Sequence, residues 1–147
     1  MKIAIGSDHA GFALKEALKK HLVKEGHSVE DFGCGSEEPV DYPDVSKKVS
    51  QAVAEGKYDF GILLCGTGIG TSITANKVVG IRAALCYDKY TAEMSRAHND
   101  ANILTVGGRT TSFSRAAEIV DTFLKTKFEG GRHERRVKKI REIEKNG

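Results

Sequence analysis

Short runs of consecutive apolar residues alternate along the whole chain with longer segments whose apolar positions recur every three or four residues. The runs are the mark of strands buried on both faces, the recurrences that of amphipathic helices. Lys2–Gly6 predicts a first strand, followed by a helix with Leu14, Ala17, Leu18, His21 and Leu22 on one face and Gly26 as its stop. Ser28–Phe32 predicts a second strand, and a loop, Gly33–Tyr42, leads to a helix opening near Pro43-Asp44. Asp59–Leu64 is the third strand, with a helix beyond it that runs to about Val79. Gly80–Leu85 and a helix from Asp88 to about Ala97 follow, then Asn102–Val106 and a helix turning Ala116, Ile119, Val120, Phe123 and Leu124 inward. Gly130-Gly131 breaks the chain before a last helix, Arg132 to about Lys145. Unbroken strand–helix alternation, with no repeat or linker, predicts one α/β domain spanning residues 1–147. The last helix carries only a narrow stripe (Val137, Ile140, Ile143), which suits docking on a neighbour or a second subunit.

The third strand runs straight into Cys65-Gly66-Thr67-Gly68-Ile69-Gly70, a glycine-spaced turn that starts a helix. This places a thiol at the C-terminal edge of a sheet, where open α/β folds bind ligands. Backbone N–H groups and a helix N-terminus beside it suit an anion or an oxygen that becomes negative, and they bias a thiol toward thiolate. The plainer reading is a turn that needs glycines, with a buried cysteine next to it. The first strand ends in Gly6-Ser7-Asp8-His9, which sets Asp8 at an N-cap position and His9 at the same edge. His98, Asn99 and Asn102 precede the fifth strand, and Arg109 follows it. Arg132 and Arg136, four apart, share a helix face and offer two planar donor forks to a phosphate.

Composition narrows the classes. The chain has 147 residues and a net charge of +3, and the segment 125–147 alone holds nine basic against four acidic residues. That tail has one aromatic, Phe128, and interleaved glutamates, so it reads as a solvated helix or a small-anion contact rather than a nucleic-acid surface. No apolar run is long enough to span a membrane, and no signal segment precedes the first strand. Three cysteines, an odd number without metal-ligand spacing, predict reduced thiols and a cytoplasmic setting. No cluster with ligand spacing stands in the sequence, so no metal or other cofactor is expected.

Three chemistries compete for the cysteine turn. A dinucleotide fold places its glycine turn after the first strand and spaces its third glycine one residue later. A cysteine phosphatase would carry arginine at the sixth position after the cysteine, where Thr71 stands, and a P-loop would continue with Gly-Lys-Ser/Thr. Acid–base work on a phosphorylated sugar uses Cys65, His98 and the arginines together.

The chain resembles the B-type ribose-5-phosphate isomerases and their galactose-6-phosphate isomerase relatives. The resemblance is carried in order by Ser7-Asp8-His9-Ala10-Gly11, Asp41-Tyr42-Pro43, Leu64 to Gly70, Gly80 to Ala84, Ser95 to Asn102 and Gly130 to Val137. It implies a three-layer α/β/α, Rossmann-like fold with a five-stranded parallel sheet and an appended C-terminal helix. It also implies a homodimer or dimer of dimers whose sites straddle the subunit contact, with a phosphorylated sugar as substrate. By the same resemblance, Cys65 is the base moving a proton between sugar C1 and C2, and His98 the acid that opens the furanose ring. Asp8 contacts a substrate hydroxyl and His9 helps hold phosphate. Gly66, Thr67, Gly68, Ile69 and Gly70 form the anion loop, Asn99 meets sugar oxygens, and Arg109, Arg132 and Arg136 clamp the phosphate. Two alternatives stay open: an isomerase of six-carbon sugar phosphates, and a sugar-phosphate-binding subunit without turnover.

Overall fold

The computed structural model describes residues 1–147. Five strands, β1 (Lys2–Ser7), β2 (Ser28–Asp31), β3 (Phe60–Cys65), β4 (Ala83–Leu85) and β5 (Ile103–Gly107), form one parallel sheet in the order β2-β1-β3-β5-β4. Its helices are α1 (Phe12–Lys24), α2 (Tyr42–Ala54), α3 (Ile69–Ala75), α4 (Lys89–Ala97), α5 (Phe113–Lys125) and α6 (Arg132–Asn146). Successive residues of a strand face opposite sides, so each side of the sheet builds its own core. Ile3, Ile5, Ile62, Leu64, Leu104 and Val106 pack against α1, α4 and α5. Ala4, Leu63 and Ile103 pack against α2 and α3 through Val45, Val49, Val53 and Ala75. Both faces are thus covered, which is why β1, β3 and β5 read as unbroken apolar runs rather than alternating ones. The architecture is the α/β domain that the strand–helix alternation predicts and the three-layer α/β/α sandwich that the family resemblance implies.

Two elements fall short of their predicted length. The helix after the glycine turn stops at Ala75 because the Asn76 side chain leaves it to bond β4: Oδ1 accepts from Ala83 N–H at 2.8 Å and Nδ2 donates to Ala83 O at 3.0 Å. The fourth strand starts at Ala83 rather than Gly80, since Gly80 has φ +91° and the Arg82 N–H goes to Asn102 Oδ1 instead of the ladder. One inward position of α1 is not apolar. Lys15 is fully buried, and its Nζ donates to both oxygens of Asp31 at 2.9 Å and to the Cys34 carbonyl. Burial pushes the Asp31 carboxyl up, but hydrogen bonds from Lys15, Lys19 and the Gly33 N–H outweigh it and hold the group below the usual value.

The last helix buries only His133 and Val137, while Ile140 and Ile143 stay exposed. It follows two glycines with positive φ and lies along the β4 edge, where Gly80 N–H donates to Glu144 Oε1. An apolar groove of about 470 Å³ runs there, bounded by Ile81, Ala83, Ala84, Ala101, Ile140 and Ile143. No helix is long and apolar enough to cross a membrane.

Candidate active site

The chain leaves β1 for one side of the sheet and reaches β3 on the other, so the crevice between their C-terminal ends is a topological switch point. Ser7 pairs with Leu64 there, and Cys65 pairs with Gly107 of β5. Most of this rim is held through backbone groups. Asp8 N–H donates to Leu64 O, and its Oδ1 accepts from Ala10 and Gly11 N–H at 3.0 and 3.2 Å, capping the turn before α1. Its second carboxylate oxygen accepts no hydrogen bond within the chain. His9 Nδ1 accepts from Val40 N–H at 3.2 Å, which in the neutral ring puts the proton on Nε2.

Cys65 is 4% exposed. Its sulfur accepts from Gly68 N–H at 3.2 Å and lies 3.4 Å from Thr71 Oγ1. Gly68 must be glycine: φ is +80°, and a Cβ would fall 2.6 Å from Leu85 Cδ1 and 3.0 Å from the Val106 carbonyl carbon. Its carbonyl is fixed by the hydroxyls of Thr105 and Thr71 at 2.9 and 3.3 Å. Gly66 O accepts from Arg109 N–H, Cys65 O from Gly108 N–H, and the Thr67 hydroxyl accepts from Ile69 N–H. The carbonyls being so engaged, the N–H groups of Gly66, Thr67, Gly70 and Thr71 make no hydrogen bond inside the chain. The loop therefore leaves four backbone donors free beside the thiol. α3 has only seven residues, so these individual N–H groups, rather than a helix dipole, carry the attraction.

Arg109 lies over the loop, with Cδ and Nη1 each 3.6 Å from where a Gly66 Cβ would be. Tyr42 covers the other side: a Cβ on Gly70 would sit 2.4 Å from its ring. Its signal in the chain was Asp41-Tyr42-Pro43 alone.

The remaining predicted residues are elsewhere. α4 returns antiparallel to the strands, so His98 at its C-terminal cap stands at the opposite edge of the sheet. Asn102, which opens the way into β5, is level with the start of β3, since its carbonyl accepts from Gly61 N–H. The length of β5, about 13 Å, thus separates this edge from Cys65. Asp100 takes φ +48° and is clamped by Arg96 Nη1 at 2.8 Å and by Arg82, whose Nε also holds the Asn99 carbonyl at 3.1 Å. Arg96 itself lies over the Phe60 ring, 4.7 Å from its centroid. His98 is fixed from the other side by His133, stacked with centroids 4.0 Å apart, while Glu129 Oε1 lies 3.8 and 3.5 Å from their two Nε2 atoms. Burial, then His98 and Arg132, push the His133 imidazole below its ordinary value, with Glu129 pulling the other way. Arg132 and Arg136 begin α6 and are exposed on it.

The candidate residues of one chain therefore fall into two separate groups. Asp8, His9, Cys65 to Gly70 and Arg109 share one rim; His98, Asn99, Arg132 and Arg136 belong to the other.

A sequence model of the ribose/galactose isomerase family matches residues 3–140. The chain is 50% identical over 143 residues to ribose-5-phosphate isomerase B of Escherichia coli K12, covering 97% of this chain and 96% of that one. A structure of Clostridium thermocellum ribose-5-phosphate isomerase B superposes with a TM-score of 0.98 at 57% identity over 99% of both chains. Ribose-5-phosphate isomerase B from Mycoplasma genitalium with bound ribulose-5-phosphate gives 0.95 at 42% identity, over 99% of this chain and 97% of that one. With the family model and these alignments covering nearly the whole chain, the chain belongs to the ribose/galactose isomerase family.

Proposed function

We propose that the protein interconverts D-ribose 5-phosphate and D-ribulose 5-phosphate through an enediolate, without a metal, in sites shared between two chains. The observation that carries this reading is the Cys65 rim: a thiol beside four unengaged N–H donors, in a chain whose relatives are isomerases of this phosphopentose. Isomerisation moves a proton between adjacent carbons while negative charge grows on the oxygens. Cys65 takes the proton from C2 and returns it to C1, while the hydroxyl proton passes from O2 to O1 across the enediolate. A positioned base contributes about 10²–10⁴-fold, and fixed donors on the developing oxyanion add the larger share. The loop from Gly66 to Gly70 provides those donors in place, so nothing reorganises as charge develops. Asp8 takes a sugar hydroxyl on its free oxygen.

Ring opening and phosphate binding need the second half-site. His98 protonates the ring oxygen, Asn99 meets sugar oxygens, and Arg132 and Arg136 join His9 and Arg109 on the phosphate. The separation within one chain supports a dimer in which His98, Asn99 and the α6 arginines reach the Cys65 rim of a second copy. The phosphate takes no part in bond making, and its binding energy positions the far end of the sugar.

Turnover of ribose 5-phosphate in the presence of chelator tests the reaction. Conversion to ribulose 5-phosphate is expected. Turnover confined to six-carbon phosphates would replace the substrate, and binding without any turnover would leave a binding subunit. Mixing Cys65→Ala with His98→Asn chains tests the shared site. Each variant alone is inactive, whereas random re-pairing restores about a quarter of wild-type activity, because mixed dimers hold one intact site. No recovery in verified mixed dimers overturns sharing.

A further inference from the structure

A thiol that takes a proton and returns it must be held in two states, as thiolate and as thiol. Two groups of the glycine loop reach the Cys65 sulfur. Gly68 N–H donates to Sγ at 3.2 Å, and Thr71 Oγ1 lies 3.4 Å from it. An N–H can only donate, whereas a hydroxyl donates or accepts. Thr71 Oγ1 is also 3.3 Å from the Gly68 carbonyl, placed to donate to it. That carbonyl has a second and closer donor, the Thr105 hydroxyl at 2.9 Å. The Thr71 hydrogen can therefore leave Gly68 O without orphaning a buried acceptor. Its oxygen stays in place, because Thr71 is 1% exposed and its own carbonyl accepts from Ser46 Oγ of α2 at 2.9 Å. The charged and titratable groups on the flanking elements are Asp8 and His9 after β1, Tyr42 at the start of α2, Cys86 after β4 and Arg109 after β5. None of them hydrogen-bonds to Sγ. In a shared site the partner subunit's His98 joins them.

We propose that Thr71 is the positioning residue of the thiol, its hydroxyl hydrogen turning between Gly68 O and Cys65 Sγ as the sulfur gains and loses a proton. The link to turnover rests on Cys65 acting as the base. In the thiol state S–H donates to Thr71 Oγ1, and the hydroxyl donates to Gly68 O. In the thiolate state the hydroxyl donates to Sγ beside the Gly68 N–H, while Thr105 alone holds Gly68 O. The sulfur keeps two hydrogen bonds in each state, and only hydrogens move. Thr71 neither gains nor loses a proton, since the one Cys65 takes from C2 is the one it returns to C1. A hydrogen bond to an ionised acceptor is stronger than one between neutral groups. The hydroxyl therefore favours the thiolate with which each turnover begins.

The experiment compares wild type with Thr71→Val, which keeps the side-chain shape but loses the hydroxyl, and with Thr71→Ser, which keeps the hydroxyl. Thiolate formation is followed by ultraviolet absorbance against pH, with Cys65→Ala as the blank that removes the signals of Cys34 and Cys86. Values of kcat and KM for ribose 5-phosphate are measured over the same range. Thr71→Val is expected to move the thiolate step and the rising limb of kcat upward together by about one pH unit, with KM little changed. Below the limb kcat falls about tenfold and at high pH it recovers, which a packing defect would not produce. Thr71→Ser returns both curves toward wild type. Thr71→Ala gives the same shift as valine and replaces it if the added methyl disturbs the turn. Unmoved curves in a folded Thr71→Val or Thr71→Ala overturn the proposal, as does an equal shift in Thr71→Ser. A thiolate step that moves while the rate profile stays put upholds the hydrogen-bond exchange and overturns Cys65 as the base.

Discussion

The two rims of the sheet are built by different means. At the Cys65 rim nearly every contact is backbone: strand ends, N–H groups, carbonyls fixed by threonine hydroxyls, and a glycine whose φ no other residue accepts cheaply. At the His98 rim the structure is side chain on side chain, with two stacked imidazoles, a shared carboxylate and two arginines clamping Asp100. A backbone site is preorganised by folding itself, so it suits charge that develops during reaction. A side-chain site can adjust, which suits a phosphate or a ring oxygen that must enter and leave. Under the proposed function the first rim carries proton transfer between the sugar carbons and the second carries ring opening with the α6 part of the phosphate clamp, and mutations should separate them.

The largest separation is expected at the thiol. Cys65→Ala should lower kcat by about 10²–10⁴-fold while leaving KM nearly unchanged, because the sulfur is buried under the loop and contributes little ground-state binding. Steady-state kinetics decide it. A raised KM with normal kcat would move Cys65 out of the base role and make both rims binding surfaces.

Next comes the loop. In Gly68→Ala the new methyl meets the Leu85 side chain, which can shift, and the Val106–Gly107 backbone, which cannot. With the strain of φ +80°, the expected cost is about 2–4 kcal/mol of stability, read from denaturant midpoints. A variant as stable as wild type would show the rim to be more compliant than its hydrogen bonds indicate.

How much of this stood in the sequence follows from the same contrast. The Cys65 rim was legible because it is local: a strand run, a cysteine and spaced glycines specify it within ten residues. Asp8 was legible as a cap for the same reason. The Lys15–Asp31 pair was not, because a lysine on the apolar face of α1 breaks the periodicity, and its partner lies on another strand. Nor was the stacking of His98 on His133, which exists only once α6 turns back after Gly130-Gly131. α3 and β4 are shorter than their apolar patterns predict because Asn76 and Asn102 side chains take over backbone partners.

A smaller effect is expected from the second rim. Arg136 is exposed, so Arg136→Ala should leave stability unchanged and weaken substrate and inorganic phosphate alike, by about 1.5–3 kcal/mol for a charged hydrogen bond. Titration calorimetry with both ligands checks this. Unchanged affinity for either removes the residue from the phosphate clamp.

The smallest expected effect is a pH slope confined to the second rim. His133 is held below its ordinary value of 6.5 by burial, by the His98 ring and by Arg132 and Arg136, against the pull of Glu129. Between the folded and unfolded values the unfolded chain binds the proton more readily, so stability rises with pH there. The contribution is complete above 6.5 and disappears as the pH falls through the lower, folded value. Urea midpoints of wild type should therefore drop on acidification through this window more than those of His133→Gln, which has no proton to take up. The Cys65 rim supplies the control, since Thr71→Val should change the midpoint equally at both pH values. Should His133→Gln follow the wild-type slope, the imidazole stack is not what couples this edge to pH, and the side-chain rim is as insensitive to protonation as the backbone one.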